Sequence, residues 1–170
     1  MLKNARLYID ELQEKVYDTW YDTKYQFYYA GGYFNEIDFS DENRWTFVSV
    51  DDDDEVIGYI TFQIAPDTNC VRNFGAMSLC DNLNITFARD VAGLVNDIFC
   101  KYHFNRMEWY CVDGNPVLRS YKKFCEKHGG TVVAHEHECV KTIDGILRDT
   151  YGFEILARNY IPSSERVVQS

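Results

Sequence analysis

The sequence lacks any long apolar run. No stretch approaches the roughly 20 consecutive apolar residues that a membrane-spanning helix requires. The chain starts MLKNARLYIDELQEK, which alternates charged with apolar side chains and does not contain the apolar segment of a signal peptide. Both absences predict a soluble protein of the cytoplasm.

Paired cysteines and common catalytic motifs are also missing. The six cysteines include no CxxC pair, so we expect them to be reduced core thiols. The motifs HExxH, GxSxG and GxxxxGK[ST] do not occur, which excludes the common zinc-protease, serine-hydrolase and P-loop classes. A cysteine nucleophile paired with His128 or His135 stays open as a minor alternative.

The composition is that of one globular domain. Of the 170 residues, 46% are hydrophobic and 16% aromatic, unlike a disordered or collagen-like chain. A chain of this length buries about two-thirds of its unfolded surface on folding. We predict a single domain over residues 1–160 and a C-terminal tail at 161–170.

The net charge of −10 is concentrated in the first third of the chain. Residues 1–55 contain 14 acidic and 5 basic residues, a net charge of −9, so residues 56–170 contribute only −1. A negative field repels nucleic acid and anionic lipid and attracts a cationic or amine-bearing partner. The open alternative is that this charge only keeps the protein soluble.

Three strands in a meander are predicted in the first half. The β-rich segments 45–50 and 56–64 are joined by the turn DDDDE, and 70–79 forms the third strand after a Pro-containing turn. The turn lacks the alternating ligands and central glycine of an EF-hand calcium loop, so we interpret it as a solvated turn. Upstream, apolar spacing at 5–29 predicts one or two helices ending at Gly31-Gly32, with no obvious first strand.

The second half alternates helices with strands. A helix at 85–102 directly follows the third strand, which places amide groups at a helix N-terminus. The apolar strand 107–112 is followed by a helix that Asn115 is predicted to cap, with Pro116 in its first turn and Gly129-Gly130 at its end. A hairpin of 131–143 and 146–156 around Asp144-Gly145 closes the domain.

This order of strand, Asn115, helix and Gly129 resembles the C-terminal half of the GCN5-related N-acetyltransferases. The segments VIGYITFQI and FNRMEW are similar to the family's central hairpin and to the entry into its fifth strand. The resemblance covers residues 45–160. It implies an α+β fold, with a mixed, mostly antiparallel sheet flanked by helices on both faces and splayed between the fourth and fifth strands.

The resemblance also implies a site for acetyl-CoA. Family members bind the pyrophosphate at the N-terminus of the helix after the fourth strand and polarise the thioester carbonyl with a backbone N–H of that strand. The cofactor-binding residues implied for this chain are Met77, Ser78, Leu79, Ile85, Thr86, Phe87, Ala88, Arg89 and Asn115. The family's glycines are missing from the matching segment NLNITF, although glycine lets a backbone approach phosphate closely. Arg89 is expected to replace part of the lost attraction.

Two catalytic residues are predicted. The family's proton donor to the thiolate is a tyrosine on the helix after the asparagine, and Tyr121 lies one residue from the expected position, with packing in the core as its alternative role. Glu108 is the expected general base, because it is the best-placed acid in the core strand. Strand alternation places it on the face opposite Met107 and Trp109, and whether that face is the cleft is left open.

No metal is predicted. Strand alternation places His135, His137 and Cys139 on one face. Residues two apart on a strand are about 6.5 to 7 Å apart, so three such positions rarely converge on one ion.

Together these features predict transfer of an acetyl group from acetyl-CoA to a primary amine of a small molecule or protein, by direct attack in a ternary complex. The alternative is a catalytically inactive binding or regulatory module that has lost the pyrophosphate loop, so whether the protein is an enzyme stays open. Neither nucleic acid nor membrane is an expected partner, and homodimer formation is left open.

Overall fold

A computed structural model describes residues 1–29 and 37–162. Its strands and α-helices are Leu2–Asn4 (β1), Ile9–Asp18 (α1), Arg44–Val50 (β2), Val56–Ala65 (β3), Cys70–Ser78 (β4), Ile85–Cys100 (α2), Arg106–Val112 (β5), Leu118–His128 (α3), Thr131–Lys141 (β6) and Leu147–Leu156 (β7). The predicted stop at Gly31-Gly32 and the tail from residue 163 lie outside the described residues. No helix of the described ranges is long and apolar enough to cross a membrane.

The seven strands of the described ranges form one sheet in the order β1-β2-β3-β4-β5-β7-β6. Neighbouring strands are antiparallel except β4 and β5, which are parallel and pair only at Cys70↔Arg106 and Val71↔Met107. Beyond these two pairs the strands separate and leave a wedge-shaped gap. The predicted α+β fold and the splay between the fourth and fifth strands are therefore confirmed.

The first strand corrects the sequence analysis, which found none. Leu2–Asn4 pairs antiparallel with β2, with Leu2 opposite Ser49. Three residues are too few to show the two-residue alternation by which a strand is detected in sequence. A short 3-10 turn, Ala5–Leu7, and then α1 follow this strand.

The two faces of the sheet carry different layers. The helices α2 and α3 cover one face through a core that includes Phe62, Trp109 and Phe153. The helix α1 covers the other face over β2, β3 and β4, where Tyr59 and Met77 are buried. Because side chains alternate along a strand, β2, β3 and β4 contribute apolar residues to both layers. The gap opens where β4 and β5 separate, beneath α2 and α3.

The start of α3 differs from the prediction by two residues. The helix begins at Leu118 with Val117 as its N-cap, whereas Asn115 lies before it. The Asn115 side chain accepts a hydrogen bond from the Val117 N–H (3.1 Å), and its carbonyl accepts one from the Leu118 N–H (3.0 Å). Asn115 therefore organises the turn that leads into the helix. Gly129 ends the helix as predicted, in the left-handed region at φ 78°.

Candidate active site

The gap between β4 and β5 is a cavity of about 440 Å³. Its walls come from both strands and from the facing sides of α2 and α3: Phe74, Ala76, Ser78, Phe87, Val91, Met107, Trp109, Tyr121 and Phe124. A second cavity of about 420 Å³, which we call the hairpin pocket, adjoins it next to the β6–β7 hairpin. A third of about 370 Å³, the helix mouth, lies at the N-terminus of α2. Tyr28 lines all three, so they form one cleft.

Among the three positions predicted on β4, one backbone amide faces the gap. The Leu79 N–H donates to the Ile57 carbonyl of β3 (3.0 Å). Because successive amides of a strand point to opposite sides, the Ser78 N–H points away from β3 and into the gap. The Met77 side chain is buried on the α1 face. Of the three positions predicted on this strand, the backbone of Ser78 is therefore the one exposed to a ligand in the gap.

Tyr28 lies beside this amide, on the wall of the gap. Burial raises the pKa of the Tyr28 phenol to about 12, and the Ser78 backbone lowers it in part. A backbone group that lowers the pKa of a phenol directs its N–H toward the phenol oxygen, so the Ser78 N–H faces the Tyr28 hydroxyl. Nothing local in the sequence links residue 28 to residue 78, so the position of Tyr28 beside Ser78 could not be predicted.

The first turn of α2 presents amide groups at the helix mouth. The Asn84 side chain caps the helix by accepting from the Phe87 N–H (3.0 Å), and the Asn84 carbonyl accepts from the Ala88 N–H (3.0 Å). The amides of Ile85 and Thr86 are then those that helix geometry leaves without an intrahelical partner. Thus two of the predicted amides can face an anion, while those of Phe87 and Ala88 serve the helix itself.

Gly58 lets α2 lie close to the sheet at this point. A Cβ atom on Gly58 would lie 2.6 Å from a ring carbon of Phe87, so any larger residue would push the first turn of α2 outward. The predicted Arg89 is exposed on the same turn and is not among the residues that line the cleft.

A lysine missed by the sequence analysis lies at the helix mouth. The Lys24 ammonium group donates to the Cys80 carbonyl (2.8 Å) and pairs with Asp81 (3.4 Å). It lines the same cavity as Asn84 and Asn115. A cation beside a helix N-terminus adds to the attraction for an anionic ligand. Only the fold brings residue 24 next to residue 84, so no local pattern could have indicated it.

Tyr121 and Trp109 contribute polar groups inside the gap. Tyr121 lines both the gap and the hairpin pocket, and burial raises the pKa of its phenol, which therefore keeps its proton. Its ring packs edge-on against Trp109, with ring centres 5.9 Å apart. The indole N–H of Trp109 is buried and has no hydrogen-bond acceptor in the part of the chain that the structure describes. A buried donor of this kind is available to a ligand or to a water molecule.

Glu108 lies outside the cleft. Its carboxylate forms an ion pair with Arg106 (2.5 Å), which also bonds Glu154 on the neighbouring strand (2.7 Å). All three side chains are on the sheet face opposite Trp109, as alternation predicted. The role of Glu108 as a general base stays a prediction. Glu136 is the carboxylate that lines the hairpin pocket, where it accepts a hydrogen bond from the Thr150 hydroxyl (3.0 Å).

This sheet, with its parted central strands and a helix N-terminus at the mouth of the gap, has the fold of the GCN5-related N-acetyltransferases. Among the solved structures similar to it are spermidine N-acetyltransferases SpeG from Vibrio cholerae. A mutant form of that enzyme aligns with a TM-score of 0.72 and 16% identity over 96% of this chain and 97% of that chain. The enzyme in complex with CoA and spermine aligns with a TM-score of 0.67 and 15% identity, over 94% and 96% of the two chains.

Sequence comparison adds no closer relationship. No protein-family model matches the chain, and no curated protein matches it either. At 15 to 16% identity the structural similarity shows the fold. The activity has to be inferred from the cleft.

Proposed function

We propose that this protein is an N-acetyltransferase that transfers an acetyl group from acetyl-CoA to a primary amine of a small molecule of the polyamine class. The observation that carries the proposal is the gap between β4 and β5, which has the Ser78 amide on one wall and the N-terminus of α2 at its mouth. In support, a structure with the same fold binds CoA and spermine.

Acetyl-CoA would lie along the cleft as a co-substrate. The diphosphate would accept hydrogen bonds from the amides of Ile85 and Thr86 and would be attracted by Lys24 at the helix mouth. The pantetheine arm would pass through the gap, where the Trp109 N–H supplies a polar contact, and beside Asn115, which lines the adjoining hairpin pocket. The thioester would then reach Ser78.

The transfer itself needs few side chains. The Ser78 N–H would polarise the thioester carbonyl while the neutral amine attacks its carbon. As the new C–N bond forms and the C–S bond breaks, the CoA thiolate would take a proton from Tyr121. The amine would lose a proton to a carboxylate, directly or through water. Glu108 is the base predicted from sequence and Glu136 is the second candidate, so comparing Glu108→Gln with Glu136→Gln decides between them.

The acidic character of the chain fits a cationic acceptor. Polyamines carry several positive charges at neutral pH, and this chain has a net charge of −10. The hairpin pocket contains the carboxylate of Glu136. A negative field raises the local concentration of a polycation and speeds its association.

A second candidate function is a binding or regulatory module that no longer uses acetyl-CoA. The observation that favours it is the Tyr28 hydroxyl on the Ser78 amide, together with a helix mouth that lacks glycine between residues 80 and 84. In such a module the cleft would be closed to the thioester.

Thermal unfolding with acetyl-CoA tests the proposal. A ligand at 100 times its Kd stabilises the folded state by about 2.7 kcal/mol, so saturating acetyl-CoA should raise the melting temperature by several degrees. Release of free CoA with spermidine, spermine and simple monoamines then identifies the acceptor. An unchanged melting temperature together with no CoA release would support the module and contradict the enzyme.

Three further expectations belong to the proposal. All six cysteines are free thiols, which supports action in the reducing cytoplasm. Exclusion of nucleic acid as a partner stays a prediction from the negative charge. Homodimer formation stays open, and analytical ultracentrifugation of the full chain measures it.

A further inference from the structure

Two histidines and an aspartate meet at the outer edge of the β6–β7 hairpin. The His135 Nε2 lies 2.8 Å from the Asp149 Oδ2, and the His137 Nδ1 lies 3.0 Å from the same oxygen. One ligand atom from each of the three residues lies within 4.8 Å of the other two. The transfer chemistry described above uses none of these side chains.

A β-bulge brings these three side chains together. The prediction that no metal binds here assumed the spacing of a regular strand, and the bulge departs from that spacing. The register of β6 against β7 shifts between Glu136 and Val140, and Glu138 has a φ of 47°, which is unusual for a residue other than glycine. The imidazole rings of His135 and His137 are consequently only 4.3 Å apart. Cys139, which the pattern placed with them, instead contacts the Thr150 hydroxyl (3.1 Å).

We propose that His135, His137 and Asp149 form a binding site for a divalent transition-metal ion such as Zn²⁺. Two imidazole nitrogens and one carboxylate oxygen are a ligand set typical of Zn²⁺, with the fourth tetrahedral position left for water. The nitrogen ligands disfavour Mg²⁺ and Ca²⁺, which prefer oxygen. The proposal is independent of acetyl transfer, since that reaction needs no metal.

Neighbouring groups already orient the three ligands. The other carboxylate oxygen of Asp149 accepts a hydrogen bond from the Glu138 N–H (2.9 Å). The His135 ring stacks on Tyr151 with ring centres 4.4 Å apart. Outer contacts of this kind fix the direction of a ligand atom and strengthen metal binding. The Asp149 carboxylate is therefore held in a fixed direction toward the two histidines.

A bound ion would also fix the wall of the hairpin pocket. The bulge that holds the histidines carries Glu136 and Cys139, both of which line that pocket. The metal would join β6 to β7 at the point where the ladder is interrupted. We expect it to stabilise the hairpin.

Cobalt titration tests the site. The full chain without a histidine tag is stripped of metal with EDTA and titrated with Co²⁺, followed by visible absorbance, with Zn²⁺ added as competitor. One equivalent of Co²⁺ should bind and be displaced by Zn²⁺. In His137→Gln the affinity should fall at least about tenfold. The His137 side chain is 75% exposed, so this variant should fold, and circular dichroism checks that it does.

Two control variants exclude other ligands. His103→Gln removes an exposed histidine outside the cluster and should bind Co²⁺ like the wild type. Cys139→Ser should also leave the affinity unchanged. Zn²⁺ should raise the melting temperature of both controls but not of His137→Gln. Absence of stoichiometric Co²⁺ binding, or equal affinity in the wild type and His137→Gln, would overturn the proposal.

Discussion

Tyr28 and acetyl-CoA would compete for the same amide. The Tyr28 hydroxyl faces the Ser78 N–H, which is the backbone group that the thioester carbonyl needs. The thioester carbonyl would have to take the place of the phenol, and the net worth of a hydrogen bond at this amide is about 0.5 to 1.5 kcal/mol. This side chain therefore limits the access of the thioester to the amide.

We predict that Tyr28→Phe binds acetyl-CoA about three- to tenfold more tightly than the wild type, because the Ser78 N–H is then free. Isothermal titration calorimetry measures the change. Tyr17→Phe, which alters an exposed tyrosine of α1, is the matched control and should leave the affinity unchanged. Weaker binding by Tyr28→Phe would instead show that the hydroxyl assists the ligand.

Tyr121 is expected to affect turnover rather than binding. Its buried, protonated phenol lines the gap, and general acids contribute roughly 100-fold or more to rate. In Tyr121→Phe we expect kcat to fall by about that factor while the Kd for acetyl-CoA stays within about twofold, since the ring still fills the core beside Trp109. Steady-state kinetics and calorimetry separate the two effects. An unchanged kcat removes Tyr121 from the mechanism and leaves it as a core residue.

The same physical reason explains why Tyr28 and Lys24 could not be assigned to the cleft from the sequence alone. Gly129 and Asp144-Gly145 could be predicted, because the conformation of a helix end or a tight turn is decided by the residue in it. The positions of Tyr28 and Lys24 depend on how a segment before β2 crosses the ends of β4 and α2. Contacts between residues 50 or more positions apart leave no local signal.

At the scale of elements, the N-terminus of α2 is the part of the cleft that can be tested most cleanly. Ile85 is the first helical residue, its side chain is 70% exposed, and Asn84 before it is extended at φ −102°, ψ 116°. Proline is tolerated at the first helical position and favours an extended residue before it. A proline can therefore remove the Ile85 N–H without disrupting the helix.

We predict that Ile85→Pro weakens acetyl-CoA binding by about tenfold, because hydrogen bonds to charged groups are worth about 1.5 to 3 kcal/mol. Ile85→Ala keeps the N–H and is the matched control, which should bind like the wild type. Fluorescence or calorimetric titration gives both constants, and thermal unfolding verifies the fold. Equal affinity of the two variants would mean that this amide does not contact the diphosphate.

The β6–β7 hairpin should lose stability in acid. The carboxylate of Asp144 accepts from the Thr142 hydroxyl and the Ile146 N–H and pairs with Arg148, and these contacts lower its pKa from 3.8 to about 2. Because the folded-state pKa is lowered, the stabilisation is present above pH 4 and is lost as the pH falls towards 2.

Asp144→Asn should therefore be less stable than the wild type at pH 7, and the difference should shrink between pH 4 and pH 2. Thermal midpoints measured across this range check the sign. Asp67→Asn, in the β3–β4 turn, removes one exposed carboxylate elsewhere and is the control. The difference between its thermal midpoint and that of the wild type should not shrink between pH 4 and pH 2. A difference that grows in acid would contradict the role of the Asp144 carboxylate.

Helices and strands with a long, regular apolar pattern could be predicted from the sequence. A very short strand, and a strand interrupted by a bulge, could not. The hairpins and α2 follow apolar periodicities that extend over several residues. The strand β1 is too short to show one, and the bulge at Glu138 breaks the alternation on which the placement of His135, His137 and Cys139 depended. A bulge arises from pairing with β7, so its position is a property of the sheet and not of the β6 segment alone.

At the scale of the whole molecule, the acidic turn lies at the same end of the sheet as the cleft. Residues 51–55 join β2 to β3, and Gly58 near the start of β3 pairs with Ser78 at the gap. Asp51 caps the backbone of this turn, and Asp54 pairs with Lys3. The field of the turn extends further at low salt, because the Debye length is about 10 Å at 0.1 M and about 3 Å at 1 M.

If the acceptor is a polyamine, as proposed above, its KM should rise as NaCl increases from about 0.05 to 1 M, while kcat changes little, because salt screens attraction and not bond making. For a monoamine with one charge, KM should rise less with NaCl. In the double variant Asp52→Asn, Asp53→Asn the rise of KM for the polyamine should be smaller than in the wild type. In Asp67→Asn it should be the same as in the wild type. These two aspartates are exposed in the turn, so their replacement leaves the cleft intact. A polyamine KM that is independent of salt in the wild type would mean that contacts inside the cleft, and not the field of the acidic N-terminal third, select the acceptor.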